Sequence, residues 1–289
     1  MPAARVTRVD DPRIAPYRDL TDAELMRSRE LFVAEGRLVV RRVIEDGRFR
    51  VRSVLVSDAA LADLGFILET LPPETPILLC QTADFLGITG HTFHRGCLAL
   101  VDRPAATPIS SVLASPTTLV VLDGVTDPDN VGSVFRNAAA LGAGGVLLSP
   151  TCCDPFYRKA IRTSMGAVLR VPCARAEKWP AVLADVRVAG FTLVALTPRQ
   201  PAETLECYAA GPRASRVALI VGTEGAGLTP AVEAAADVRV SIPMQRDVDS
   251  VNLAVAVGIA LFTLRPRERC SAYGANATST LPGMPPKRE

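Results

Sequence analysis

Three stretches of this chain set polar residues and glycines at spacings that could do chemistry. In DGVTDPDNVGSVFRNAA (123–139), Asn130, Gly132 and Arg136 stand within a run of Val, Phe and Ala. A guanidinium there could hold a phosphate, and a solvated arginine on a helix face fits equally. In IVGTEGAGLTP (220–230), Gly222, Gly225 and Gly227 allow a tight backbone around one charge, Glu224. The Lys-Ser/Thr of a phosphate-binding P-loop is missing, so another kind of nucleotide loop or an ordinary glycine-rich turn both fit. In SIPMQRDVDSVNLAVAVGIALF (241–262), Ser250 and Asn252 open an apolar helix, where a serine cap is the plain alternative.

Other candidates are weaker. His91 and His94 are spaced like metal ligands but have no third or fourth ligand nearby, so no metal is expected. LGAGGVLL (141–148) follows a helix and precedes a strand, the reverse of a dinucleotide fingerprint. The seven cysteines (Cys80, Cys97, Cys152, Cys153, Cys173, Cys207, Cys270) form no Cys-x-x-Cys pair; adjacent Cys152 and Cys153 read as small apolar fillers.

The elements that must position these stretches follow from periodicity. Thr21 and Glu24 fit a capping box ahead of a helical stretch that Gly36 interrupts or bends, with Leu38, Val39, Val43 and Ile44 at helical spacing. Strands are predicted at 51–57, 76–80 and 96–102, closing a compact α/β module. Residues 103–117 have a linker composition. Beyond them, strands at 118–124, 145–149, 168–171, 191–196, 217–222 and 238–243 alternate with helices at 130–142, 155–167, 177–189 and 250–264. Such alternation implies a parallel sheet covered on both faces, with ligands at the carboxyl ends of its strands. If Val131 begins its helix, Asn130 caps it.

A length of 289 residues suits one large or two ordinary domains. The start lacks the apolar core of a signal peptide, and the 14-residue apolar stretch at 251–264 falls short of the about 20 residues a bilayer needs. A cytoplasmic protein with reduced thiols is expected. The net charge is only +2, which leans away from nucleic acid, yet of 32 cations only Lys159, Lys178 and Lys287 are not arginine. Residues 1–105 carry 14 arginines against 15 acids, so any basic footprint must be local. Residues 37–52 form one such patch, with six arginines against Glu45 and Asp46.

In order and spacing, the three stretches resemble the motifs of the SpoU (TrmH-type) RNA 2′-O-ribose methyltransferases of the SPOUT superfamily. DPFYRKAIRTSMGAV (154–168) is similar to that family's segment ending in Ser-Met-Gly-Ala, and FVAEGRLVV and HRGCLA look like boundaries of its RNA-binding domain. The resemblance implies an α/β fold: an N-terminal αβα ribosomal-protein-like RNA-binding domain (21–102) and a SPOUT domain with a trefoil knot (118–267). A loose arm (1–20), a linker (103–117) and a disordered tail (268–289) complete the expected organisation. It implies S-adenosyl-L-methionine as cofactor, held by Leu196, Thr197, Gly222, Ile242, Met244 and Val251. It also implies a homodimer whose subunits complete each other's sites, acting on ribosomal or transfer RNA, with no membrane partner. Arg136 would be the catalytic arginine, oriented with the ribose by Asn130, Glu224, Ser250 and Asn252. A guanidinium is a donor rather than an acceptor, so stabilising charge on the 2′-oxygen or a phosphate suits it better than acting as a base. Gln245-Arg246-Asp247 and Asp249 depart from the usual turn, which bears on substrate contacts. RNA contacts are expected from Arg37, Arg41, Arg42, Arg158, Lys159 and Arg162. The competing reading is a non-catalytic RNA-binding or ribosome-assembly factor of the same fold.

Overall fold

The computed structural model describes residues 3–18, 23–25, 30–89, 96–114 and 117–265. His91, His94, Thr21, Cys270 and the 268–289 tail therefore lie outside the described residues. The first part of the chain builds a mixed sheet from β1 (Ala4–Arg5), β2 (Leu31–Glu35), β3 (Val51–Val56), β4 (Ile77–Leu79) and β5 (Cys97–Asp102). Their order is β1-β4-β3-β5-β2, with β5 antiparallel to both β2 and β3. Helix α1 (Arg37–Asp46) packs on it through Val39, Val40 and Val43.

Leu31–Glu35 is thus a strand, although the helical pattern of the sequence runs through it. Four of its five residues are buried, and a run without polar alternates carries no period that separates strand from helix. Pairing with β5 decides the matter, and the chain turns at Gly36 into α1.

The second part is an all-parallel sheet of β6 (Thr118–Leu122), β7 (Gly145–Leu148), β8 (Cys173–Arg175), β9 (Thr192–Leu196), β10 (Glu203–Thr204), β11 (Val217–Val221) and β12 (Val238–Ser241). Its order is β10-β12-β9-β11-β6-β7-β8. Alternate residues of β6 enter opposite cores, Leu119 and Val121 on one face, Val120 and Leu122 on the other. Both faces are covered, which is why these strands read as unbroken apolar runs.

The boundaries shift in places. Residues 167–169 form a 3-10 turn and the strand follows at Cys173–Arg175, not at 168–171. The helix expected over 155–167 is the short α3 (Arg158–Thr163), and the linker contains a helix, Ile109–Leu113, that buries Val112 and Leu113. Helix α2 (Pro128–Leu141) starts earlier than expected, capped by Asp127 rather than Asn130. Proline at the first helical position, with no N–H to satisfy, makes Asp127-Pro128 the better start.

A closing helix, α4 (Leu253–Leu264), lies along α2 and is held there partly by Asn137 Nδ2 donating to the Ala254 carbonyl at 2.6 Å. On its other side α2 crosses α3 so closely that a Cβ on Gly132 would sit 2.5 Å from the Ala160 carbonyl oxygen. No larger residue fits that crossing without displacing backbone. Among the described residues no helix is long and apolar enough to cross a membrane.

Candidate active site

Three loops leave the carboxyl ends of the neighbouring strands β12, β9 and β11 and enclose a cavity of about 380 Å³. Leu196 and Thr197 come from the end of β9, Gly222 and Glu224 from the loop after β11, and Ile242, Met244, Ser250 and Val251 from the segment after β12. All six residues expected at the cofactor line this space. The glycine loop folds back on itself so tightly that a Cβ on Gly222 would lie 2.1 Å from the Gly227 carbonyl carbon. Backbone is therefore presented directly to the cavity, against apolar walls from Leu196, Ile242, Met244, Leu253 and Ala256. Its volume falls within the roughly 300–1,000 Å³ of small-molecule sites.

Beside the cavity, the motif side chains meet. The Asn252 amide donates to Glu224 Oε1 at 2.7 Å and to Asn130 Oδ1 at 3.0 Å. Its oxygen caps α4, accepting from the Ala254 and Val255 backbone N–H groups at 2.9 and 3.3 Å. Ser250, the alternative cap, instead lines the cavity. Glu224 also accepts from the Leu253 N–H at 3.3 Å, tying the glycine loop to the start of α4. Asn130 is buried within α2, so three segments far apart in sequence share one polar knot of side chains.

Arg136 is not part of that knot. It is exposed on α2, does not line the cavity, and no hydrogen bond or ion pair to its side chain is found among the described residues. Its helix packs against α4, whose outward stripe of Val255, Ile259 and Phe262 is 51, 36 and 54% exposed. The spacing of these three residues places them on one helical face.

Sequence reasoning missed the supports of the glycine loop. Arg199 donates to the Ala226 carbonyl at 2.7 Å, the Leu228 carbonyl at 3.3 Å and the buried Glu233 carboxylate at 3.0 Å. Buried Asp123, at the end of β6, accepts from Trp179 Nε1 at 3.0 Å and from the Thr229 N–H at 2.7 Å. The one signal available was the nearness of Arg199 to Thr197 in the chain; its targets lie about thirty residues on.

The arginines expected at RNA are largely spent on the chain itself. Arg42 donates to the Met165 carbonyl, Arg158 to the Tyr17 carbonyl at 2.9 Å, and Arg162 pairs at 2.8 Å with Glu35, which is 1% exposed. These three fasten the first sheet's module to the α3 segment. Arg37, Arg41 and Lys159 sit in surface pairs with Asp63, Glu45 and Asp129. Burial alone would raise the Asp129 carboxyl, but hydrogen bonds from Lys159 and Thr163 hold it below the usual range. Burial pushes the Cys153 thiol up to about 12 and Cys173 to about 11, so both stay protonated and unreactive near neutral pH. Cys152 and Cys153 pack in the core, as small apolar fillers do. Among the described residues no group of three or more His, Cys, Asp or Glu could hold a metal ion.

Residues 117–262 match the model of the SpoU rRNA Methylase family. An uncharacterized tRNA/rRNA methyltransferase of Mycobacterium tuberculosis is 39% identical over 257 residues, covering 88% of each chain. Among solved structures, an AdoMet-bound rRNA methyltransferase from Sinorhizobium meliloti superposes with a TM-score of 0.77 at 26% identity, covering 91% of this chain and 97% of the other. An RNA 2′-O ribose methyltransferase superposes at 0.75 with 28% identity, covering 90 and 97%.

Proposed function

This chain belongs to the SpoU rRNA methylase family, and from that membership we propose that it methylates a ribose 2′-hydroxyl of ribosomal or transfer RNA. The observation that carries this reading is the Asn130–Glu224–Asn252 cluster beside a cavity lined by backbone and apolar side chains. S-Adenosylmethionine fits that cavity in size and in donor set: Leu196, Ile242, Met244 and Val251 offer apolar walls to an adenine, and the loop at Gly222 offers backbone groups. When bound, it supplies an electrophilic methyl group on a sulfonium.

The chain's own residues must then bring a poor nucleophile into line and hold the charge that grows as the hydroxyl proton leaves. Glu224 and Asn252, fixed by each other and by the start of α4, present a rigid polar edge that orients the ribose. Ser250 is placed to help at the cavity wall. Arg136, a donor that stays charged, stabilises the developing oxyanion or the adjacent phosphate.

Since Arg136 lies away from its own chain's cavity, a second copy brings it to the site. The stripe Val255–Ile259–Phe262 beside α2 supplies the apolar face for such a homodimer. The first sheet's module takes the role of RNA-binding domain; it reaches back past the expected 21–102 bounds, since β1 pairs with β4 and Ile14 and Tyr17 are buried in its core rather than in a loose arm. The segment around β12 and α4 threads a trefoil knot, as the family resemblance implies.

The test is transfer of labelled methyl groups from S-adenosylmethionine to total RNA, beside a calorimetric titration of the cofactor. Cofactor binding with label in RNA supports the enzyme. RNA binding with neither favours the non-catalytic factor.

A further inference from the structure

Two depressions share Arg48 and Phe49 in their linings and make up a groove in two parts. One, of about 470 Å³, lies between the two sheets and takes in Arg103, Arg170, Arg175, Asp154 and Phe156. The other, of about 540 Å³, lies on the first sheet's side and takes in Arg50, Arg52 and Glu74. Six arginines thus line the groove against two carboxylates, in a protein whose whole net charge is +2.

These arginines are not equivalent. Arg175 is used up holding the carbonyls of Ser149, Pro150, Cys152 and Cys153. Arg103 pairs with Asp154, Arg52 with Asp102, and Arg48 with Asp46 and the Leu169 carbonyl. Arg50 and Arg170 are exposed, and among the described residues neither side chain has a hydrogen bond or ion pair. Both face water on either side of Arg48; Arg170 adds a charge attraction to Asp46, whose carboxyl the hydrogen bond from Arg48 chiefly holds below its usual range. Aromatic faces lie among the cations: Arg48 sits 5.5 Å from the Phe49 ring centroid and Arg103 5.2 Å from that of Phe156. Charged forks next to ring faces are what a flexible nucleic-acid strand binds.

Position also fits. Leu148 and Arg175, at the carboxyl ends of β7 and β8, border the groove, while the cofactor cavity opens at the carboxyl ends of β9, β11 and β12. Three strand spacings separate β8 from β11, about 14 Å at roughly 4.8 Å each. A few nucleotides cover that distance along one edge of the sheet.

We propose that this groove holds the phosphate backbone of the RNA, with Arg50 and Arg170 each neutralising a phosphate on either side of Arg48. The proposal rests on the RNA-methyltransferase reading and adds to the contacts expected on α1 and α3 the turn between α1 and β3, at Arg50, and its neighbour Arg170.

The experiment compares Arg50→Glu/Arg170→Glu with a charge-matched control, Arg5→Glu/Arg8→Glu, on and beyond β1 at the far edge of the first sheet. Binding of unfractionated ribosomal RNA and of transfer RNA is followed across a salt series. The groove variant should bind at least tenfold more weakly and lose roughly 1.4 from the log–log salt slope, two phosphates at about 0.7 each for single strands. The control should stay within about twofold of wild type, and melting temperature and cofactor affinity should hold in both. Wild-type affinity in the groove variant, or an equal loss in the control, overturns the proposal. If wild type transfers no methyl while the groove variant alone loses RNA, the enzymatic reading fails and the groove stands. If wild type methylates RNA and the groove variant binds normally, the groove fails and the enzyme stands.

Discussion

Two long seams of this molecule are finished in opposite ways. Along the junction between the sheets, Arg42, Arg158 and Arg162 reach across to carbonyls or to buried Glu35, and Gly166 packs near Val39. One apolar core runs through this seam, from Phe32 and Val39 to Ile161 and Val168. Along α4, by contrast, Val255, Ile259 and Phe262 stand half exposed beside a helix that carries an uncommitted Arg136. The first seam is closed by the chain alone. The second is left open and apolar, on a helix packed against the one that carries a catalytic candidate, which suits a surface closed by another copy.

The sharpest break of this contrast is Arg136→Ala. Methyl transfer should fall by about 10²–10³-fold, the usual loss for one oxyanion donor, while cofactor affinity stays within about twofold. Single-turnover kinetics beside calorimetry separates the two effects. Mixing this variant with Ser250→Ala should restore part of the activity, since a mixed dimer keeps one intact pairing of Arg136 and Ser250. Recovery of none would place both residues in one subunit's site.

Next in size is the open seam. Ile259→Lys with Phe262→Lys should reduce the mass seen by light scattering from two chains to one and remove most methyl transfer. A surviving dimer, or a fully active monomer, would remove the reason for the exposed stripe.

The closed seam should respond in stability rather than in assembly. Arg162→Ala leaves Glu35 buried without that partner and should cost about 2 kcal/mol in urea denaturation, short of the about 3–5 kcal/mol of a fully buried pair because Arg162 is 38% exposed. Light scattering of this variant should remain that of wild type.

Much of the parallel sheet was legible because its strands are short apolar runs between loops of distinct composition. The site's loops were legible too, since glycines, Asn130, Glu224, Ser250 and Asn252 stand out against apolar neighbours. What the residues could not reveal was long-range pairing. Leu31–Glu35 joins a sheet only because β5 offers it a partner some sixty residues later. The arginines of α1 and α3 look alike on paper, yet Arg162 meets a carboxylate 127 positions away and Arg42 a carbonyl 123 positions away. Charge counting located a basic patch, but only the fold separated the arginines that fasten the modules from Arg50 and Arg170.

The central claim, methylation at the ribose 2′-oxygen, is tested most directly by where the label ends up. RNA methylated by this protein with labelled S-adenosylmethionine is hydrolysed in alkali, which cannot cleave next to a 2′-O-methyl group because the attacking hydroxyl is blocked. The account predicts label in alkali-resistant dinucleotides from one site. Label released in single nucleotides, with the methyl on a base, would contradict it.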